Sequence, residues 1–407
     1  MIKTFRMRLY PSEQQKVLLE KHFGACRWVW NYFLEVRSDY YAKHKNDKKK
    51  GLSGFDTMKM LTILKKKITW LNEVSAQSLQ QSLIKLDKAF VAFFKHNAKY
   101  PNFRSKKDSQ YFIVPSGFKV NKDRLVIPKF MEGIRYRDKS AIPEKIKQIV
   151  ITKDVNRYYA FIQYETDEEL EKGEGITGVD MGIKAFVVTS DGMQVKPLNA
   201  FKKMEKRLKR QQKKLSRKRK GTENRKKQIV RVQKLYQRIR DSRTDFNHKV
   251  STAIAKHYGI VAIEDLNIQG MARDHHLSKS ILEQGWGEFR TMLKYKLQWR
   301  NAELIMIGRF EPSSKMCSKC GNIKHDLKLS DRIYNCNVCG LSMDRDMNAA
   351  INILHMGLVK VGRGTPEFTP VESATAAELQ SGGLRVVTLL SRNFEKRCQG
   401  EEYAKGV

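Results

Sequence analysis

The chain has 407 residues and a formal net charge of +36, long enough for two or three domains with cores of their own. Charge of that size says nothing about fold. It points to a polyanionic partner, because a basic protein gains affinity by releasing counterions from phosphates. Nucleic acid is therefore expected, and a merely soluble or ribosome-associated basic protein is the blander reading. No apolar run approaches the roughly 20 residues of a spanning helix. The opening MIKTFRMRLYP also lacks the apolar stretch of a signal peptide. A cytoplasmic protein with no membrane partner is expected. Six cysteines in such a chain argue for metal ligation or free thiols over a disulfide framework.

In residues 2–9, Phe5, Met7 and Leu9 alternate with Thr4, Arg6 and Arg8, the pattern of a half-buried strand. Ser12 with Gln15 forms a capping box that opens a helix rich in apolar and aromatic residues, among them Val17, Phe23, Trp28 and Phe33. The basic stretch KHKNDKKKGLSG reads as an exposed loop, and helices are expected over 55–68 and 74–96. In the second, Leu79, Leu83, Leu86, Phe90, Phe93 and Phe94 recur at helical spacing and are expected in the core. From 103 to 166, the runs YFIVP, RLVIP, IKQIVIT and YYAFIQY mark a small β domain that takes in the strand at 2–9. The acidic DEELEKGEG (167–175) reads as a linker.

Strands follow at 176–180, 185–189 and 193–196, then a long basic helical region over 200–258 and a buried strand GIVAIE. A helix over 280–300, a strand in AELIMIG, a cysteine region at 317–339 and a helix over 346–356 complete the pattern. From 359 onward, seven basic and six acidic residues exclude a polybasic arm. That tail is expected to be disordered.

CSKC (317–320) and CNVC (336–339) lie fifteen residues apart. Each pair places two thiolates on a tight turn, and two such turns complete a tetrahedral Zn²⁺ site at Cys317, Cys320, Cys336 and Cys339. Gly321 and Gly340 follow the knuckles and supply the turn conformation. Four thiolates leave no open position, so this metal is structural. Cys26 and Cys398 fall outside the pattern.

Hydrolysis of a phosphodiester usually employs two divalent ions, and Mg²⁺ prefers carboxylates. The chain must then bring acids together from distant places. An RNase H-like fold does so in a recognisable order, and the order here matches it. Asp180 sits on the first of three strands, Glu264 ends the strand IVAIE, and Asp344 and Asp346 open the late helix. Taken singly, each acid favours the plainer reading, Asp180 as a turn residue, Glu264 or Asp265 as a loop cap, and Asp346 as a helix N-cap. The ordered set in a chain of +36 favours a nuclease with Asp180, Glu264 and Asp346 as catalytic ligands of two Mg²⁺ ions.

From 202 to 240 there are nineteen Lys and Arg against two Glu. A charge run is usually a solvated face. At this density Lys213, Lys214, Arg217, Lys218, Arg219 and Lys220 read as phosphate contacts, which position a duplex without reading its sequence. Arg345, between the two aspartates, is a further phosphate candidate. Gln77, Gln80 and Gln81, after Trp70, could reach base edges, with an ordinary polar helix face as the equal alternative.

The segments RLYPSEQQ, GVDMGIKAF, IEDLN, SKSILEQGWGEF, FEPSSKMCSKCG, CNVCG and DRDMNAAINI occur in this order. Together they resemble the transposon-encoded TnpB proteins, compact RNA-guided nucleases related to type V CRISPR effectors, over about residues 2–370. The resemblance implies a β-barrel wedge domain at 1–12 and 103–170 carrying a helical recognition insert at 13–102. It implies an α/β RuvC-like domain of the RNase H fold at 173–310 and 341–358, interrupted by a zinc ribbon at 311–340, with the tail at 359–407. It also implies a guide RNA from the transposon end and a double-stranded DNA target flanked by a short recognised motif. Both strands would be cut at one RuvC site, one protein copy per RNA. By motif, the acids fall on Asp180, Glu264 and Asp346, and the stretch with His275, His276, Lys279 and Trp286 falls near the active-site entrance. The competing readings are a non-catalytic RNA- and DNA-binding regulator of the transposon and a guide-free nuclease such as a junction resolvase.

Overall fold

The structure, a computed structural model, describes residues 1–364 apart from 48–50, 139–141, 274–276, 310 and 329. His275, His276, Cys398 and nearly all of the tail lie outside the described residues. The chain divides into two compact units, Met1–Glu168 and Glu169–Val407. No described helix is long and apolar enough to cross a membrane.

The first unit opens with β1 (Ile2–Tyr10), then α1 (Glu13–Lys43), α2 (Gly54–Lys67) and α3 (Ala76–Phe94). The capping box at the start of α1 is formed: Gln15 N–H donates to Ser12 Oγ, and the Gln15 side chain accepts from Ser12 N–H. Six strands follow: β2 (Gln110–Val114), β3 (Lys119–Val120), β4 (Arg124–Ile127), β5 (Phe130–Tyr136), β6 (Lys145–Asp154) and β7 (Arg157–Glu165). They pair in the order β2-β6-β7-β1-β5-β4-β3. The first strand of the chain thus lies in the middle of the sheet, antiparallel to β7 from Ile2↔Glu165 to Leu9↔Tyr158. No pairing among the described residues joins β2 to β3, so the ladders by themselves do not close a barrel.

Met7 and Leu9 enter one core with Phe23, Phe33, Leu79 and Leu83. Not every apolar position of the helical stripes is buried there: Phe94 is 63 % exposed and Val17 59 %. Phe94 is the last residue of α3, one turn beyond the buried Phe90, on which its ring stacks at 6.3 Å.

The second unit carries β8 (Gly175–Asp180), β9 (Val187–Thr189), β10 (Gln194–Val195), α4 (Ala200–Ser216), α5 (Glu223–His257) and β11 (Tyr258–Glu264). It continues with α6 (Ile268–Met271), α7 (Ser278–Gln284), α8 (Trp286–Gln298), β12 (Glu303–Ile307), the hairpin β13 (Ile333–Asn335) and β14 (Ser342–Asp344), and α9 (Arg345–Lys360). The five-stranded sheet runs β10-β9-β8-β11-β12. β8, β11 and β12 are parallel, while β9 and β10 are antiparallel additions. Val179, Val261 and Ile263 face the side covered by α5 and α8, and Ala262, Ile305 and Ile307 face α9.

Two helical stretches that read as continuous are broken. The basic region over 200–258 is a helical hairpin: α4 stops at Ser216, Gly221 takes φ +86°, and Thr222 caps α5. Met204, Leu208, Val232, Leu235 and Ile239 zip the two arms. The helix expected over 280–300 is split at Gly285, in the left-handed region at φ +67°, where a Cβ would come 2.9 Å from Arg243 Cδ.

Candidate functional site

Side chains alternate along a strand, so residues two apart share a face. Gly178 and Asp180 of β8 share one, and Ala262 and Glu264 of β11 share one. Ala262 packs in the cluster under α9, so Glu264 faces that side. Gly178 does too. A Cβ there would overlap the Ala350 carbonyl of α9 and stand 2.6 Å from Leu354 N, an approach only glycine permits. The parallel register pairs Ile263 with Val179, which leaves Asp180 and Glu264 as the next rung, on strands about 4.8 Å apart. Both are the last residues of their strands. The carboxyl edge of an open α/β sheet is where such folds build sites.

The third acid comes from α9. Asp344, not Asp346, is the N-cap: its Oδ1 accepts from Asp346 N–H (3.0 Å) and Met347 N–H (3.1 Å). Asp346 lies in the first turn, half-buried, with Arg345 Nη2 at 3.3 Å. Arg345 also donates to the Lys328 carbonyl, so its cation is engaged within the chain.

Asp180 feels the other two acids. Burial pushes the Asp180 carboxyl up to about 7; the negative charges of Asp346 and Glu264 add to the rise, and Arg345 partly offsets it. Glu264 is raised by burial, and a hydrogen bond from Ser313 works against the rise. Asp265, the next residue, behaves oppositely. Arg290 (2.6 Å) and Arg309 (3.1 Å) clamp it, and the Arg290 hydrogen bond leads in holding its carboxyl below the usual range. The two acids of IEDLN thus differ in environment: two arginines hold Asp265, and a serine hydroxyl donates to Glu264. A buried carboxylate raised by two neighbouring acids is part of a donor set that a hard divalent cation relieves.

The cysteines form the second centre. The Sγ atoms of Cys317, Cys320, Cys336 and Cys339 all lie within 4.8 Å of one another, with Cys317–Cys339 at 3.5 Å and Cys320–Cys336 at 3.6 Å. Four sulfurs at Zn–S bonds of about 2.3 Å stand roughly 3.8 Å apart, so the quartet can hold a metal such as zinc. Gly321 (φ +76°) and Gly340 (φ +71°) turn the two knuckles. Their N–H groups donate to the Cys317 and Cys336 carbonyls at 2.9 and 3.1 Å. Among the described residues this quartet is the one metal-ligating group that closes so tightly.

The remaining sequence candidates are dispersed. Lys213 and Lys214 end α4, while Arg217, Lys218, Arg219 and Lys220 form the tip of the hairpin; all but the half-buried Lys218 are exposed. Gln80 belongs to the first unit and lines a groove of about 290 Å³ with Thr62, Lys65, Lys66 and Asn72. Lys279 pairs with Glu205 of α4. Trp286 is 1 % exposed and belongs to the core. Sequence reasoning missed Gly178, Ser313 and Asn352. The i, i+4 asparagines in NAAIN, on an otherwise apolar helix face, were the available signal for the last.

An acid-bearing α/β sheet with a four-cysteine cluster and a basic helical hairpin defines a class of nucleic-acid-processing protein. The family models agree. A probable transposase model matches residues 160–274, a Cas12f1-like TNB domain 286–353, and a helix-turn-helix domain 1–46. A protein of Streptomyces pristinaespiralis, provisionally named an RNA-guided DNA endonuclease, is 34% identical over 88% of this chain and 89% of its own. InsQ of Escherichia coli, named likewise, is 30% identical over 88% and 92%. A TnpB-like protein of Acanthamoeba polyphaga mimivirus is 23% identical over 88% and 74%. The chain belongs to the TnpB family.

Proposed function

We propose that the protein is an RNA-guided DNA endonuclease whose phosphodiester hydrolysis depends on Mg²⁺ held by Asp180, Glu264 and Asp346. The observation that carries this reading is the convergence of three sequence-distant carboxylates at the α9 side of one sheet edge, two of them raised above the ordinary carboxylate range. Two bound Mg²⁺ ions would supply an activated water and charge stabilisation at the leaving oxygen. The chain supplies rigidity. Asp180 and Glu264 are fixed by the parallel ladder, and Asp346 is fixed by a capped helix packed on Gly178. The exposed cations of the α4–α5 hairpin would follow a phosphate backbone.

In this reading the first unit is the wedge domain with its helical recognition insert, and the second is the RuvC-like domain interrupted by a zinc ribbon. The guide RNA comes from the transposon end, and base pairing reads the target while the protein holds the heteroduplex by shape. A short motif beside the target is read in duplex DNA, and one site cuts both strands in turn, in the cytoplasm. The names of the full-length relatives support the RNA and DNA partners. A non-catalytic regulator fits less well, because nothing in binding alone calls for charge repulsion among Asp180, Glu264 and Asp346.

The test is to purify the protein from a host carrying its flanking DNA, sequence the bound RNA, and offer a matching duplex. Cleavage with Mg²⁺ and none with EDTA is expected. Bound RNA without cleavage favours the regulator, and cleavage without RNA favours a guide-free nuclease.

A further inference from the structure

Glu264 has a neighbour from a distant part of the chain. Ser313, 6 % exposed, donates its hydroxyl proton to Glu264 Oε1. Ser313 begins the loop that leads to the first cysteine knuckle four residues later, and that loop is gripped by α9. Asn352 Nδ2 donates to the carbonyls of Ser313 (2.7 Å) and Met316 (2.6 Å). One turn earlier, Asn348 Nδ2 donates to the same Met316 carbonyl (2.7 Å), and Asn348 Oδ1 accepts from Ser318 N–H (3.0 Å). Both asparagines are 0 % exposed. Buried amides are costly unless bonded, so their geometry strongly sets where the loop lies. Met316 is followed directly by Cys317. A continuous path therefore runs from Glu264 through Ser313 to the cysteine site, held by the helix that also carries Asp346.

We propose that Ser313 is a positioning residue for Glu264, and that Asn348 and Asn352 lock it to the first cysteine turn, so that the cysteine-bound metal and the acid site form one mechanical unit. The inference rests on the reading of Glu264 as a divalent-cation ligand. Ser313 takes one carboxylate oxygen by hydrogen bond and so orients the other lone pairs for a cation. Partners that orient a metal's ligands in this way typically change metal affinity 10- to 100-fold when removed.

The experiment is Mn²⁺ titration, followed by electron paramagnetic resonance, of the zinc-loaded full-length chain freed of nucleic acid. Background is subtracted with a variant carrying Asp180→Asn, Glu264→Gln and Asp346→Asn together. Ser313→Ala is expected to weaken Mn²⁺ binding about tenfold or more, while Ser313→Thr, which keeps the hydroxyl, binds as the parent does. Cys320→Ser, which loosens the cysteine-bound metal at an exposed ligand, is expected to weaken Mn²⁺ binding as well. It remains decisive if Ser313→Ala does not fold. Parent-like Mn²⁺ binding in Ser313→Ala or Cys320→Ser, with loss in Glu264→Gln alone, overturns the inference and leaves the proposed site standing. Parent-like binding in Glu264→Gln overturns both.

Discussion

Asp344 caps the helix on which Asp346 sits: one carboxylate oxygen of Asp344 accepts from the Asp346 and Met347 N–H groups at 3.0 and 3.1 Å. The two aspartates of DRDMN therefore do different work. Losing the cap by Asp344→Ala is expected to destabilise by about 1 kcal/mol and to slow DNA cleavage without ending it. Asp344→Ser, which still caps, is expected to stay near the parent in both. Thermal melts and single-turnover cleavage of the four proteins, Asp346→Asn included, check this. Equal loss in Asp344→Ser and Asp346→Asn would contradict the division.

Gly178 lets α9 approach β8. A methyl group there would overlap the Ala350 carbonyl, which is backbone and cannot swing aside. Gly178→Ala is expected to destabilise the second unit by about 3 kcal/mol or more, at the upper end of overpacking. At Gly357 the Cβ would stand 2.8 Å from Ala262 Cβ, a side-chain clash on one side only, so Gly357→Ala is expected to be milder. Urea denaturation of both variants measures the difference.

His22 makes the first unit acid-sensitive. Its Nδ1 donates to the Leu18 carbonyl (2.8 Å), and its Nε2 accepts from Ser75 N–H (3.1 Å). A second proton has no place there, and burial pushes the imidazole down to about 4. The unfolded chain, with His near 6.5, binds more protons between pH 6.5 and 4. The contribution of His22 is therefore complete above 6.5, falls as pH drops toward 4, and is constant below that. The full span is at most about 3 kcal/mol. Denaturation curves at pH 7.5 and 5 are expected to differ more for the parent than for His22→Gln; identical pH dependence would refute this account.

The cysteine quartet is expected to hold one zinc per chain, lost in Cys336→Ser and kept in Cys26→Ser. Cys26 is buried, which pushes its thiol up to about 12, so it should also resist alkylation in the native protein. Elemental analysis and thiol counting test both statements.

The exposed cations of the hairpin should act on affinity alone. Replacing Lys213, Lys214, Arg217, Arg219 and Lys220 with Gln is expected to leave the melting temperature unchanged. The slope of log affinity against log salt should fall by about 0.7–0.9 for each side chain that meets a phosphate. Fluorescence anisotropy with labelled RNA over a salt series reads this directly.

What the sequence discloses is what short-range chemistry decides. The Ser12–Gln15 capping box, the Gly321 and Gly340 knuckles and the order of the acid-bearing elements are all legible, because each depends on residues a few positions apart or on chain order. Contacts between distant residues are not legible. Nothing near Ser313 indicates that its hydroxyl reaches Glu264, and nothing near Gly178 indicates that a helix 170 residues later lies against it. The breaks at Gly221 and Gly285 were open to view but outweighed by the helical periodicity around them. At Asp346 local pattern alone favours capping, and the observed hydrogen bonds give that cap to Asp344 instead.

The central claim is that Asp180, Glu264 and Asp346 form one cleavage site. The direct measurement is guided cleavage of matched duplex DNA by Asp180→Ala, Glu264→Ala and Asp346→Ala, each purified with its RNA. All three are expected to bind RNA as the parent does and to cut neither strand. Retained cutting of either strand by any one of them would contradict the claim.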